Sequence, residues 1–210
     1  MNFNEDGCEV VKNAVSIDAV WLMQLQFDLH VQASFQNLSQ NDIDDVFLHL
    51  NKKRAWGQYG LAISEGLLVL LQPIIEKITN KKLLPCYSFI RKYFDHAELV
   101  KHVDRPSCEY SATFTIQTGD VPWPLWIKTL RGQDVGVNLN PGDMLIYRGN
   151  VLPHWREICP VEQHTQVFLH YVDADGPFTE FKFDTRECLA TPYEEKREKE
   201  LRKSAKDFYK

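Results

Sequence analysis

Three side chains in this sequence could hold a redox-active metal. His102-Val-Asp104 offers an imidazole and a carboxylate two positions apart. In an extended segment that spacing turns both side chains to the same side. A second imidazole, His154, follows the turn Asn140-Pro-Gly-Asp143 and the apolar run Met144–Tyr147. Two imidazoles and one carboxylate on one face of a metal leave its other positions open, the arrangement that non-haem Fe(II) oxygenases need. A His-x-acid pair alone is weak, and His96-Ala-Glu98 is a competing one just upstream. The context favours His102-Val-Asp104. Arg105-Pro106 and a β-rich run follow it, and the turn, strand and histidine after that are what a third ligand requires.

The elements that must carry these residues change character along the chain. From about Ser16 to Lys82 the pattern predicts helices. One has Val20, Leu22, Met23, Leu25, Phe27 and Leu29 as its apolar positions among polar residues, with Ser16 or Asp18 as cap. Another begins near Asp42 with Val46, Phe47, Leu48 and Leu50. A third covers Leu61–Leu71, and Pro73 suits the first turn of a fourth. From Leu84 onward come short β-rich runs, Cys86–Tyr93, Tyr110–Gln117, Leu125–Thr129, Asp143–Tyr147 and Thr165–Val172. Turns such as Thr118-Gly-Asp and Asp173-Ala-Asp-Gly-Pro separate them. Many short strands with such turns predict an antiparallel sandwich or barrel. The expected division is a helical part over 1–83 packing on the core, a β core over 84–190 and a charged C-terminal helix or tail over 191–210.

Composition limits the function classes. The 210 residues are 44% hydrophobic and 25% charged, a balance that builds a sizeable core. A net charge of -5 argues against a general nucleic-acid binder. The five cysteines are an odd number and form no C-x-x-C pair, which argues against a disulfide framework and a structural zinc site. No basic-then-apolar leader pattern is visible, and no apolar run approaches the length of a membrane span. A reducing cytoplasm is the expected compartment, with no membrane or nucleic-acid partner.

The segment Tyr87–Asp173 resembles the catalytic core of the 2-oxoglutarate/Fe(II) oxygenase superfamily, in particular its prolyl-hydroxylase-like branch. Lys101-His-Val-Asp-Arg-Pro106 resembles the first metal motif. Asn140–Gly149 resembles the strand before the second, Val151-Leu-Pro-His-Trp-Arg-Glu157 the distal-histidine segment, and Gln166–Asp173 the closing strand. The resemblance implies a mainly β double-stranded β-helix (jelly roll) with helices on the outside of one sheet. It implies Fe(II) on His102, Asp104 and His154, with 2-oxoglutarate and O2 as cosubstrates. The activity it implies is oxidative decarboxylation to succinate and CO2 coupled to hydroxylation of a prolyl residue or a small molecule. A cupin-like or catalytically inactive jelly-roll binding protein is the alternative.

One departure from the branch bears on the cosubstrate. Where the branch carries Arg or Lys after the distal histidine, to meet the far carboxylate of 2-oxoglutarate, this chain has His164, flanked by Gln163 and Gln166. A buried dicarboxylate still needs a cation. Arg156, Arg148 and His164 are the nearby choices. Strand periodicity turns Arg156 to the side of His154, and its planar fork matches a carboxylate, so Arg156 is favoured. By resemblance Tyr93 could donate to the cosubstrate, but core packing is its favoured role. Trp123, Trp126 and Trp155 read as packing or pocket walls, and His170 as a satisfied polar group facing inward or toward a neighbouring strand.

Overall fold

The computed structural model of the chain describes residues 1–36 and 54–191. The helix expected near Asp42 and the C-terminal segment beyond Thr191 lie outside the described residues. In chain order the elements are α1 (Phe3–Asp6), β1 (Cys8–Val11), α2 (Ile17–Gln36), β2 (Ala55–Tyr59) and α3 (Ala62–Thr79). Then come β3 (Leu83–Phe94), β4 (Leu99–His102), a 3-10 turn over Pro106–Cys108, β5 (Tyr110–Gln117), β6 (Leu125–Lys128) and β7 (Asp134–Val137). They are followed by β8 (Met144–Tyr147), β9 (His154–Arg156), β10 (Gln163–Asp173) and an irregular 3-10 segment over Thr179–Thr185. No helix among the described residues is long and apolar enough to cross a membrane.

The strands form two antiparallel sheets. The larger runs in the order β1-β8-β5-β10-β3-β2 and the smaller β4-β9-β6-β7. From β3 to β10 the chain passes repeatedly from one sheet to the other, so the smaller sheet collects the segments that carry His102 and His154.

The larger sheet separates two environments. One face meets the helices: Val20, Met23 and Phe27 of α2, and Leu67, Leu68, Leu71 and Ile75 of α3, pack against Ile90, Ala112, Phe114, Ile116, Val167 and Leu169. The other face looks toward the smaller sheet. Strand β5 shows the division in seven consecutive buried residues. Its alternate residues Tyr110, Ala112, Phe114 and Ile116 join the helix-covered core, while Ser111, Thr113 and Thr115 point the other way. In β10, His164, Gln166 and His170 share that inward side and are likewise buried. An ordinary sandwich fills this space with apolar side chains. Here one end of it is apolar, with Leu125, Ile127, Val137, Leu145 and Leu152, and the rest is polar, with Ser111, Thr113, Thr115, His164, Gln166 and His170.

Three expectations differ from the structure. Ala55–Tyr59, read as part of a helical stretch, is the edge strand β2, paired with β3. The open edge of β3 supplies its backbone partners. Gly57 is needed there, because a Cβ would meet the Phe89 ring at 2.4 Å. Cys8–Val11, unassigned from sequence, adds the other edge strand on β8. Pro73 does not start a new helix but sits inside α3. It removes one backbone donor on the helix's exposed side, near Val69 at 55% exposure, where water can serve the freed carbonyl.

The chain closes by folding Thr179–Ala190 back over the edge of the larger sheet. Arg186 and Glu65, both buried, pair at 2.5 Å. The buried carboxylate of Asp184 accepts from the Tyr59 hydroxyl at 2.6 Å and from Arg105 at 2.9 Å.

Candidate active site

His102 ends β4 and His154 begins β9, and the two are direct cross-strand partners in the smaller sheet. Their rings lie 4.4 Å apart between centroids. Asp104 follows β4 in a loop that is anchored to the strand-end of β8: its backbone N–H donates to the Gly149 carbonyl at 2.9 Å. One carboxylate oxygen, Oδ1, is 3.5 Å from Nε2 of His102 and 3.6 Å from Nε2 of His154. The three ligand atoms all lie within 4.8 Å of one another.

The outer nitrogens fix the tautomer. Nδ1 of His102 lies 2.8 Å from the Val100 carbonyl and Nδ1 of His154 lies 2.9 Å from the Leu152 carbonyl. A carbonyl can only accept, so each Nδ1 carries the proton and each Nε2 turns a lone pair toward Asp104. Backbone carbonyls holding the outer nitrogens of paired imidazoles are the usual support for metal-ligating histidines. Two neutral imidazoles and a carboxylate converging on one point suit Fe(II). Without an ion, the hydrogen bond to Asp104 raises the pKa of His102 above the ordinary imidazole value, with burial and the charge of Arg91 opposing it. Burial works to raise the carboxyl pKa of Asp104, but its bonds to His102 and His154 outweigh burial and hold it below the usual range.

Asp104 is packed from behind. Ser111 Oγ lies 3.5 Å from its second oxygen and 2.9 Å from Nδ1 of the buried His170. A Cβ on Gly149 would meet Ser111 Oγ at 2.5 Å and Asp104 Oδ2 at 2.6 Å. Asp104, Cys108 and His170 also cluster. Burial pushes the Cys108 thiol up to about 12 and Ser111 lies on Nδ1 of His170, so this group packs behind the triad.

Beyond the triad, four candidates for the cosubstrate, Arg156, Tyr93, His164 and Gln166, meet in one buried cluster. Arg156 shares the inward side of β9 with His154, and both are at most 4% exposed. Its guanidinium lies over the Trp123 ring at 4.6 Å and donates to the Trp123 carbonyl. No carboxylate pairs with it among the described residues, and burial pushes it down to about 10. In the orientation that satisfies both ends of its amide, Gln166 accepts from Arg156 at 3.0 Å and from His164 Nε2 at 2.8 Å, and donates to Thr113 Oγ1 at 3.0 Å. Tyr93 and His164 each set a ring edge-on to Trp123 at 5.1 Å. Burial first, and Arg156 second, push His164 down to about 3, so it is neutral at ordinary pH and is no substitute for the missing cation.

The other sequence candidates separate cleanly. Arg148 continues the side of β8 that Met144 and Ile146 turn into the helix-covered core, away from the cluster. His96 sits exposed in a left-handed turn, bonded to Asp95, and among the described residues neither it nor Glu98 joins a group of metal-ligating side chains. Trp123 is buried, its indole N–H donating to the Glu157 carbonyl at 2.8 Å and its ring meeting Arg156, Tyr93 and His164. Trp126 and Trp155 stack on each other at 6.1 Å as cross-strand partners, half-buried, with Lys101 Nζ 3.7 Å over Trp155. His170 faces inward against Tyr87, ring centroids 4.5 Å apart. Sequence reasoning missed Ser111, Gly149 and Arg91. The alternation of hydroxyl and apolar residues in Tyr110–Ile116 was the available signal for the first.

Two opposed antiparallel sheets with a His-Asp-His centre between them define a fold shared with known proteins. No protein-family model and no curated protein matches the sequence. Solved structures do match. A Pseudomonas putida prolyl-4-hydroxylase is similar at 13% identity over 80% of this chain and 94% of that one, with a TM-score of 0.59. HygX from Streptomyces hygroscopicus, solved with nickel and 2-oxoglutarate bound, is similar at 11% identity over 82% and 85%, with a TM-score of 0.62. The non-haem α-ketoglutarate-dependent carbocyclase SnoK from nogalamycin biosynthesis is similar at 11% identity over 91% and 90%, with a TM-score of 0.65. At these identities the likeness shows the fold.

Proposed function

We propose that this protein is an Fe(II)- and 2-oxoglutarate-dependent oxygenase of the prolyl-hydroxylase-like branch, with strands β3–β10 as its double-stranded β-helix. The observation that carries the proposal is the convergence of His102 Nε2, His154 Nε2 and Asp104 Oδ1, each imidazole held by a backbone carbonyl at its other nitrogen. These three residues would hold the iron. Arg156 would take the distal carboxylate of 2-oxoglutarate. A strand advances about 3.3 Å per residue, so Arg156 stands about 7 Å along β9 from His154, a separation that a five-carbon diacid can bridge.

When bound with oxygen, iron and 2-oxoglutarate supply a two-electron oxidation: 2-oxoglutarate yields succinate and CO2, one oxygen atom enters succinate, and the other enters a substrate C–H bond. The chain's own residues do the rest. Ser111 and Gly149 keep Asp104 turned toward the two imidazoles. Gln166, bonded to His164 and Thr113, holds the Arg156 fork in one plane. Tyr93 and Trp123 wall the pocket and exclude water, which strengthens every charge interaction inside it.

The test is anaerobic titration with Fe(II) and 2-oxoglutarate. A weak visible metal-to-ligand charge-transfer band should appear in the wild type and be absent in His154→Ala. Succinate release on admitting oxygen should follow the same pattern. A wild-type protein that binds 2-oxoglutarate equally with and without metal would refute the proposal.

A further inference from the structure

The inward side of β3 carries a second arginine that the proposed chemistry does not use. Along β3 the residues alternate. Ser88 bonds Ser64 of α3, Ile90 enters the helix-covered core, and Lys92 pairs with Asp28 of α2. Their neighbours Tyr87, Phe89, Arg91 and Tyr93 therefore face the smaller sheet. Arg91 lies directly across from Gln166 of β10 on one side and from Gly57 of β2 on the other. Its guanidinium stands 5.0 Å over the Tyr93 ring. Tyr93 is edge-on to Trp123, and Trp123 carries Arg156, so two guanidinium groups bracket one pair of aromatic rings.

Arg91 differs from Arg156 in one respect: it is half-buried, whereas Arg156 is sealed. Among the described residues neither has a carboxylate partner. The other cations near the triad are engaged, Arg105 with Asp184 and Lys101 with Asp134. Charge counting then decides what Arg91 is for. Asp104 and doubly charged 2-oxoglutarate together exceed the charge of Fe(II) by one, and Arg156 balances that excess. His164 and His170 are neutral. Among the described residues Arg91 is left over, half-buried, near enough to the triad for its charge to act on His102. An uncompensated, partly buried cation favours an incoming anion.

We propose that Arg91 is a specificity-determining residue that binds a carboxylate of the substrate, and hence that the substrate is an acid, either a small carboxylic acid or a peptide presenting an acidic group. This rests on the oxygenase reading above, and it places the target C–H bond within reach of both Arg91 and the triad.

The experiment uses protein loaded with Mn(II) and 2-oxoglutarate, an inert stand-in for the iron form. Calorimetry measures binding of N-acetyl amino acids against the matching N-acetyl amino-acid amides, which differ only in the terminal charge. A second arm uses end-capped tripeptides with central Asp or Glu against Asn or Gln. In the wild type, at least one acid should bind roughly tenfold better than its neutral partner, the size expected for one charged hydrogen-bond pair. Arg91→Gln should abolish that ratio, and Lys92→Gln, on the opposite face, should keep it. Preference confined to the first arm identifies a small acid, and preference in the second a peptide. The same ranking should appear in succinate release from the iron form. The proposal is overturned if no acid outbinds its partner, or if the ratio survives Arg91→Gln. It is also overturned if Arg91→Gln weakens 2-oxoglutarate itself more than the acids, since Arg91 would then serve the cosubstrate. Failure of the parent reading shows separately, as 2-oxoglutarate binding that does not depend on metal.

Discussion

Replacing Arg156 with Met tests the cosubstrate site most sharply, because the structure sets the size of the effect. The guanidinium is 4% exposed and has no carboxylate partner among the described residues. Burial pushes it down to about 10 from an ordinary 12.5. At about 1.4 kcal/mol per tenfold, holding this charge unpaired costs the folded protein about 3 kcal/mol. A carboxylate docked on the fork recovers that cost, which corresponds to roughly two orders of magnitude in affinity. Met fills similar volume without the charge. Arg156→Met should therefore weaken 2-oxoglutarate binding to the Mn(II) protein about a hundredfold or more by calorimetry, while Mn(II) affinity itself stays near wild type. The apoprotein should change little in thermal stability, because relief of the buried charge offsets loss of the donor to the Trp123 carbonyl, about 1–3 kcal/mol. Arg156→Ala removes the same charge and serves as a check on shape. His164→Ala should have the smaller effect, and one that does not vary with pH above about 5, because the imidazole is neutral there. Normal 2-oxoglutarate affinity in Arg156→Met would refute the reasoning, as would a crippled His164→Ala beside a normal Arg156→Met.

His102→Ala, Asp104→Ala and His154→Ala should each abolish turnover and cut metal affinity by orders of magnitude with circular dichroism unchanged, whereas His96→Ala should bind metal normally. Gly149→Ala would force a methyl group to 2.6 Å from Asp104 Oδ2. It should lower Co(II) affinity by about ten- to a hundredfold, the usual effect of disturbing a ligand's support, read from the intensity of its visible absorption. In the chelated apoprotein, His164 and His170 are held at about 3 and about 4 by burial, against an unfolded value near 6.5. Depressed values mean that the unfolded chain takes up protons the folded one cannot, so stability is full above pH 6.5 and is lost as pH falls toward 4. Each histidine contributes up to about 1.4 kcal/mol per pH unit, and His164→Asn with His170→Asn should flatten that slope in urea titrations. Arg186→Ala should cost about 3–5 kcal/mol in denaturant unfolding, because it strands the buried Glu65 carboxylate.

Much of the site was legible before any coordinates. A His-x-Asp pair and a later histidine after a turn and strand make a local chemical signature, and spacing in an extended segment already puts two ligands on one side. The same period-two argument put Arg156 beside His154, and the structure places them on one face of β9. The strand Tyr110–Gln117 was legible to the residue, because its alternation and bounding turns are local. The helix α2 was legible as a helix but its buried stripe was not: Val20, Met23 and Phe27 are buried, whereas the equally apolar Leu22, Leu25 and Leu29 are exposed, because where the helix docks decides which face is covered. What sequence reading missed depends on partners far along the chain. Cys8–Val11 and Ala55–Tyr59 are strands because β8 and β3 offer open edges, and nothing within four or five residues announces that. Pro73 stays inside α3 because its side of the helix faces water, a fact set by where the helix docks.

The sequence by itself determined the types and order of the candidate ligands and the alternation that turns hydroxyl, imidazole and amide groups to one side of β5 and β10. Only the tertiary structure decided that this polar side faces a second sheet rather than solvent, since a period of two divides a strand into two sides without saying what covers either. It decided that His102 and His154, distant in sequence, are cross-strand partners, because register is set by the packing of whole sheets. It also decided the charge state of the pocket. Burial makes His164 a neutral partner of Gln166 and leaves Arg156 as a sealed cation and Arg91 as a half-open one. Desolvation is a property of the assembled core, and no residue carries it in its own letter.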